Sequence, residues 1–107
     1  MNGHIGFNEP NLPDSEGCIV VDLDETTKSV GRKYFDGEMP ASKGITLSCT
    51  ELKKSRKVIY IAGGEAKADI VKKIVDTPPC SQVPATMLKG HLDLSFYLDE
   101  AAAGKLL

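Results

Sequence analysis

Val58-Ile59-Tyr60-Ile61-Ala62-Gly63-Gly64 runs five apolar residues into a glycine pair, ahead of Glu65-Ala66-Lys67-Ala68-Asp69-Ile70-Val71-Lys72-Lys73-Ile74-Val75. The first five residues are partly β-branched and carry no polar alternation. That is the pattern of a strand covered on both faces in a parallel sheet, and it predicts a central strand over 58–62. Beyond the glycines the apolar positions Ala66, Ile70, Val71, Ile74 and Val75 recur at helical spacing. Asp69 and Lys73 fall four apart, placed for an ion pair on the wet side. Thr77-Pro78-Pro79 then stops the helix, because proline has no backbone N–H to continue it.

Outward from this unit, residues 92–98 alternate Leu92, Leu94, Phe96 and Leu98 with Asp93, Ser95 and Tyr97, the period of a strand wet on one side and so of an edge strand. Asp99 can cap a last helix over 100–106, which Gly104 weakens. Residues 84–88 fit one helical turn after Pro84. Toward the amino end, 18–23 and 44–47 read as strands, 26–35 as a helix bearing Lys28, Arg32 and Lys33, and 50–55 as a short helix. Strands alternating with helices imply an α/β fold with a parallel sheet and helices on both faces, a three-layer, Rossmann-like arrangement. Roughly four strands fall short of the usual five or six, so the sheet reads as incomplete.

The chain has 107 residues, enough for one small domain. Its net charge of −2 provides no diffuse basic field for a nucleic acid or an anionic membrane, so any phosphate must be bound locally. Apolar content of 41% against 26% charged is ordinary globular usage and predicts a folded chain. No apolar run is long enough to span a bilayer, and the first residues lack signal-peptide character, so the expected location is cytoplasmic. Cys18, Cys49 and Cys80 form no C-x-x-C pair, which argues against a disulfide framework or a structural zinc site. Their equal spacing is chance, since the flanks share nothing.

Asn2-Gly3-His4-Ile5-Gly6-Phe7-Asn8-Glu9-Pro10 places a histidine between two glycines and a glutamate five residues on. That separation shares one face of neither a helix nor a strand, so His4 and Glu9 meet only if the loop folds back. An imidazole held by a carboxylate is an acid–base arrangement, while spacing alone better fits a frayed terminus with both groups in water. Gly63-Gly64-Glu65-Ala66-Lys67 follows the buried strand and opens the helix, so backbone N–H groups and Lys67 could converge on an anion. A solvated lysine after a glycine turn is the plain alternative. His91, in a Gly90-His91 turn, and the run Lys53-Lys54-Ser55-Arg56-Lys57 are read as solvated, the run as a helix end near its C-terminal dipole.

Residues 2–10 resemble the active-site loop of the glucosamine-6-phosphate deaminase family, whose pattern is Asp or Asn, Gly, His, Ile, Ala or Gly, Phe, Asn, Glu, Pro. The similarity continues through 27–35, 44–47, 58–75 and 84–102. The related 6-phosphogluconolactonases share the Gly-His pair but not the Phe-Asn-Glu-Pro continuation. The resemblance implies conversion of glucosamine 6-phosphate and water to fructose 6-phosphate and ammonia, with no cofactor and no catalytic metal. The implied partner is a small-molecule sugar phosphate, with no nucleic acid and no membrane, and a homo-oligomer stays open for the full-length form. His4 would assist opening of the sugar ring and Glu9 would work with it. Asn2 can orient His4 but takes up no proton. Lys67 matches a phosphate-binding lysine, and Lys33 or the adjacent Arg32 falls where the family has a phosphate-binding arginine. The family's Thr-Gly-Gly-Thr-Pro-like loop and proton-transferring acid have no counterpart here, so the expectation is that residues 1–107 are the C-terminal portion of a single deaminase-like domain, inactive alone. The loop over 11–16 is acidic and lacks arginine, which speaks against the sugar-phosphate activation of regulated members. Competing readings are a non-catalytic sugar-phosphate binding module and a lactonase-like hydrolase.

Overall fold

The computed structural model describes residues 2–12, 15–23, 25, 28–29 and 42–106. Strands β1 (Cys18–Asp22) and β2 (Lys43–Leu47) are followed by a short helix α1 (Cys49–Leu52), strand β3 (Val58–Ala62), a 3-10 turn (Glu65–Lys67), helix α2 (Ala68–Asp76), a second 3-10 turn (Pro84–Leu88) and strand β4 (Leu94–Leu98). The βα unit over 58–76 forms as its pattern predicts, and residues 84–88 form the expected turn.

Strand direction departs from expectation in one half of the molecule. β3 and β4 are parallel, with Tyr60 opposite Phe96 and their ring centroids 4.9 Å apart. β1 and β2 instead pair antiparallel, with Val20 opposite Ile45 and Asp22 opposite Lys43, whose charged ends lie 3.4 Å apart. A short apolar run records burial, whereas direction is set by the connection and by what packs on the ribbon. The helix expected between β1 and β2, with Arg32 and Lys33, falls largely outside the described residues, and those two side chains fall outside entirely.

β3 was expected to be covered on both faces, yet Ile59 is 49% and Ile61 81% exposed. Its Tyr60 face is tied down, with the Tyr60 hydroxyl donating to the Ala85 carbonyl. Nothing among the described residues covers the Ile59–Ile61 face. β4 is the neighbour of β3, and Phe96 and Tyr97 are partly exposed on it. Val20 and Ile45 leave a second apolar face on the β1–β2 ribbon, at 65% and 71% exposure.

The buried side chains include Val21, Leu23, Cys49, Val71, Val83, Leu88 and Ala102, with Ser48 and Thr86 as buried polar groups. Thr86 is satisfied locally: its hydroxyl accepts the Cys80 N–H at 2.8 Å and donates to the Val83 carbonyl at 2.7 Å. Ser48 caps α1 by accepting from the Glu51 N–H. At the far end of α2, Lys89 donates to the Val75 and Thr77 carbonyls at 2.8 and 2.6 Å, filling acceptors that a helix C-terminus leaves open.

Three local expectations change. The helical ion pair joins Lys72 to Asp76 at 2.8 Å rather than Asp69 to Lys73, and Asp69, in the first turn, pairs with Lys105. Residues 100–105 make turns and no helix, although Asp99 does accept the Ala102 N–H at 2.8 Å as a cap would. So short a segment ending near Gly104 gains too few hydrogen bonds to offset helix nucleation. His91 is partly exposed but anchored: Nε2 donates to the Ser55 carbonyl at 2.6 Å and Nδ1 accepts the Asp93 N–H at 2.9 Å. Those two bonds settle its tautomer and fasten the 53–57 loop to the start of β4. Lys53 to Lys57 are exposed as expected, with Lys54 paired to Glu51 at 3.1 Å.

Candidate functional site

The loop over 2–12 is held at several points and is not a frayed end. Asn8 donates through one side-chain nitrogen to the Ile5 carbonyl at 2.9 Å and to the Leu47 carbonyl of β2 at 2.7 Å. The Phe7 N–H reaches the Thr46 hydroxyl at 3.3 Å. On the other side the Ala85 N–H donates to the Gly3 carbonyl and the Asn11 N–H to the Ser81 carbonyl, both at 2.8 Å. The loop therefore bridges β2 and the 84–88 turn.

Gly3 makes this close docking feasible. Its φ is +76°, a region L side chains rarely enter, and a Cβ there would lie 2.7 Å from Val83 Cγ1 and 3.3 Å from Ile70 Cδ1.

Asn2 links the two titratable groups. Its side-chain nitrogen donates to a Glu9 carboxylate oxygen at 3.0 Å, and its side-chain oxygen accepts the His4 backbone N–H at 3.1 Å. The His4 ring places Nδ1 2.8 Å from the Gly6 carbonyl oxygen. A carbonyl only accepts, so Nδ1 carries the hydrogen and, in the neutral ring, Nε2 is the basic nitrogen. His4 is exposed, whereas Glu9 is only 5% exposed. Glu9 faces a small hollow of about 60 Å³, shared with Asn8, Ser48, Cys49 and Ser81.

His4 and Asn2 line a much larger cleft of about 770 Å³, and so does Lys67. The structure thus brings the histidine loop and the lysine together, although they are distant in sequence. Lys67 sits half-buried at the end of the 3-10 turn and forms no ion pair among the described residues. The remaining walls are largely apolar and include Tyr60, Ile70 and Phe96. Burial, with Cys49 adding to it, pushes the Tyr60 hydroxyl far above the usual phenol range, so it stays a neutral donor.

The glycine turn differs from the expected anion cradle. The Gly64 N–H is already taken by both carboxylate oxygens of Asp99, at 2.9 and 3.1 Å. Asp99 was read only as a helix cap. Its second role follows from the observed register: Ala62 pairs with Leu98 in the parallel sheet, so the next residues, Gly63 and Asp99, leave the two strands side by side.

Comparison with known proteins gives a consistent result. The profile of a family described as glucosamine-6-phosphate isomerases/6-phosphogluconolactonase matches residues 21–96. A glucosamine-6-phosphate deaminase of Enterococcus faecalis is 40% identical over 107 residues, covering 99% of this chain and 46% of its own length. One from Clostridium perfringens is 42% identical over 108 residues, covering 99% and 44%. The solved structure of a monomeric glucosamine-6-phosphate deaminase superposes with a TM-score of 0.82 at 30% identity, over 96% of this chain and 43% of that one. A 6-phosphogluconolactonase from Leishmania guyanensis shares the fold, with a TM-score of 0.69 at 19% identity over 99% of this chain and 38% of its own. This chain spans less than half the length of the curated relatives it matches. Among the described residues no helix is long and apolar enough to cross a membrane.

Proposed function

Because this chain belongs to the glucosamine-6-phosphate isomerase/6-phosphogluconolactonase family of enzymes, we propose that it supplies part of an active site converting glucosamine 6-phosphate and water to fructose 6-phosphate and ammonia. The observation that carries this reading is one cleft lined by His4, Asn2 and Lys67 together. In it His4 exchanges a proton with the ring oxygen of the sugar through Nε2, the nitrogen left basic by the Gly6 bond. Asn2 holds the His4 backbone and the Glu9 carboxylate in one hydrogen-bonded unit, so Glu9 supports the pair from the buried side. Lys67 neutralises the phosphate as a point charge, and Arg32 or Lys33 adds a second cation.

The deaminase reading is preferred to the lactonase because the relatives near 40% identity carry that name and the loop continues Phe7-Asn8-Glu9-Pro10. On this reading β3 and β4 are two strands of a larger parallel sheet with helices on both faces.

The test is ammonia release from glucosamine 6-phosphate by this chain joined to the family's remaining portion. Turnover that falls by about two to four powers of ten in His4→Ala is expected for a positioned acid–base group. Hydrolysis of a 6-phosphogluconolactone without ammonia release from the amino sugar would overturn the reading.

A further inference from the structure

The Gly6 carbonyl that fixes the His4 ring belongs to a peptide with a second tether. Residues 5–8 form a tight turn, in which the Asn8 N–H donates to the Ile5 carbonyl at 2.8 Å and the Ile5 N–H to the Asn8 carbonyl at 3.3 Å. Those bonds close the ends of the turn and leave its central peptide, between Gly6 and Phe7, to outside partners. The carbonyl oxygen of that peptide lies 2.8 Å from His4 Nδ1, and its N–H donates to the Thr46 hydroxyl at 3.3 Å. The N–H and C=O of a trans peptide point opposite ways in one plane, so holding one end aims the other. An amide whose N–H is engaged is also the better acceptor at its oxygen.

The surroundings of Thr46 suit that grip. Thr46 stands on β2, two residues beyond Gly44 and on the same face. A Cβ at Gly44 would lie 2.5 Å from the Phe7 ring, and one at Gly6, whose φ is +55°, would lie 2.7 Å from Thr46 Oγ1. Glycine at both places lets the turn approach the strand this closely. The Thr46 hydroxyl directs its own hydrogen to the Leu47 carbonyl at 3.4 Å, which leaves a lone pair for Phe7.

We propose that Thr46 is a positioning residue for His4: by anchoring the Phe7 N–H it aims the Gly6 carbonyl at Nδ1 and keeps the neutral ring protonated there, with Nε2 free for the substrate. A free histidine side chain in water favours the hydrogen on Nε2, so the loop has to impose the other form. Thr46 touches neither the ring nor the substrate. Its effect on turnover rests on the proposed function, whereas its effect on the ring does not.

The test is nitrogen-15 NMR of the imidazole rings in the 107-residue chain, at about pH 8, where an ordinary imidazole is neutral. His91 serves as internal standard, because its Nε2 donates to Ser55 and its Nδ1 accepts from Asp93, the opposite tautomer. In the unaltered chain His4 should read as protonated at Nδ1. Thr46→Val replaces the hydroxyl by a methyl group. It should lower the ratio of the Nδ1–H to the Nε2–H form of His4 by about threefold or more, the scale of one lost hydrogen bond, and leave His91 as it was. Thr46→Ser, which keeps the hydroxyl, should restore the ratio. If Thr46→Val loses the fold, His91 changes with it, and Thr46→Ser against Thr46→Ala supplies the same comparison. In the joined chain of the activity test, Thr46→Val should lower kcat about tenfold and change KM by less than about twofold. His4 protonated at Nε2 in the unaltered chain, an unchanged ratio in a folded variant without the hydroxyl, Thr46→Ser no better than Thr46→Val, or loss of the fold in both hydroxyl-free variants each overturns the proposal. A tautomer that shifts as expected in a chain whose ammonia release is absent or unaffected leaves the positioning role intact and counts against the catalytic reading alone.

Discussion

Asp99, one residue beyond β4, grips the Gly64 N–H with both carboxylate oxygens, at 2.9 and 3.1 Å. The contact ties the ends of the two parallel strands together and sets the entry angle of the turn that carries Lys67. Gly64 needs the latitude, since its φ is +91°. One of the same oxygens also accepts the Ala102 N–H at 2.8 Å, so a single carboxylate organises both the glycine turn and the carboxy-terminal segment. Asp99→Ala should destabilise the chain by about 1–2 kcal/mol, the loss of a charged acceptor at two backbone donors, discounted for exposure. Exchange at Gly64 should quicken relative to 71–75. Asp99→Asn should lie between the two, and a Gly64 amide that exchanges at the wild-type rate in Asp99→Ala would show that the contact is passive.

Gly3→Ala should be among the most damaging small substitutions. A methyl group there meets Val83 and Ile70 in a backbone region closed to alanine, at a cost of about 1–3 kcal/mol. The loop over 2–12 should detach from the 84–88 turn, read as faster exchange of the Ala85 N–H, which Gly3 accepts in the wild type.

The kinetic roles of His4 and Lys67 should separate. On the proposed reading Lys67 meets, in the completed enzyme, a phosphate present in ground and transition states alike, so Lys67→Ala should mainly raise KM. His4→Ala should mainly lower kcat, and Glu9→Gln should share that defect in milder form. A Lys67→Ala enzyme with unchanged substrate affinity would mean that the anion site lies elsewhere.

Taken alone, the 107-residue chain should release no ammonia from glucosamine 6-phosphate at an enzymatic rate. The cleft is lined by a histidine and a lysine but by no described carboxylate that could carry a proton between adjacent carbons, and losing one acid–base member costs powers of ten. The same chain should bind an apolar-surface dye through its exposed Ile59, Ile61 and Phe96. A monodisperse monomer that unfolds cooperatively and binds no dye would contradict this.

Acid should loosen the junction between β1 and α1. Glu51 donates nothing but accepts from Lys54 and from the Gly17 N–H, and those bonds hold its carboxyl below the ordinary 4.5. A depressed folded value means that the contribution is whole above about pH 4.5 and fades as pH falls through the lower, folded value. Glu51→Gln should remove that acid-side slope by lowering neutral-pH stability slightly, toward the wild type's acid-side level, as thermal melts between pH 3 and 7 would reveal.

The residues 58–75 and the loop 2–10 were legible from sequence because their information is local. A β-branched run, a glycine pair, helical periodicity and a stretch of consecutive motif residues each carry their meaning without reference to distant chain. So Val58–Ala62, the helix behind it and the presence of His4 and Glu9 in one loop were readable before any coordinates. Three other features were not. The antiparallel pairing of β1 with β2 depends on how the chain returns. The exposure of Ile61 depends on which elements lie over its face, and apolar runs look alike whether covered or waiting for cover. The fastening of His91 to Ser55 and of Asp99 to Gly64 joins residues some 36 and 35 positions apart. Only the tertiary structure also showed that Asn2 spans from the His4 backbone to Glu9, and that Lys67 shares a cleft with His4. Periodicity and propensity are written in neighbouring residues, whereas a site is made where remote segments of chain are brought side by side, and that meeting is a property of the packed whole.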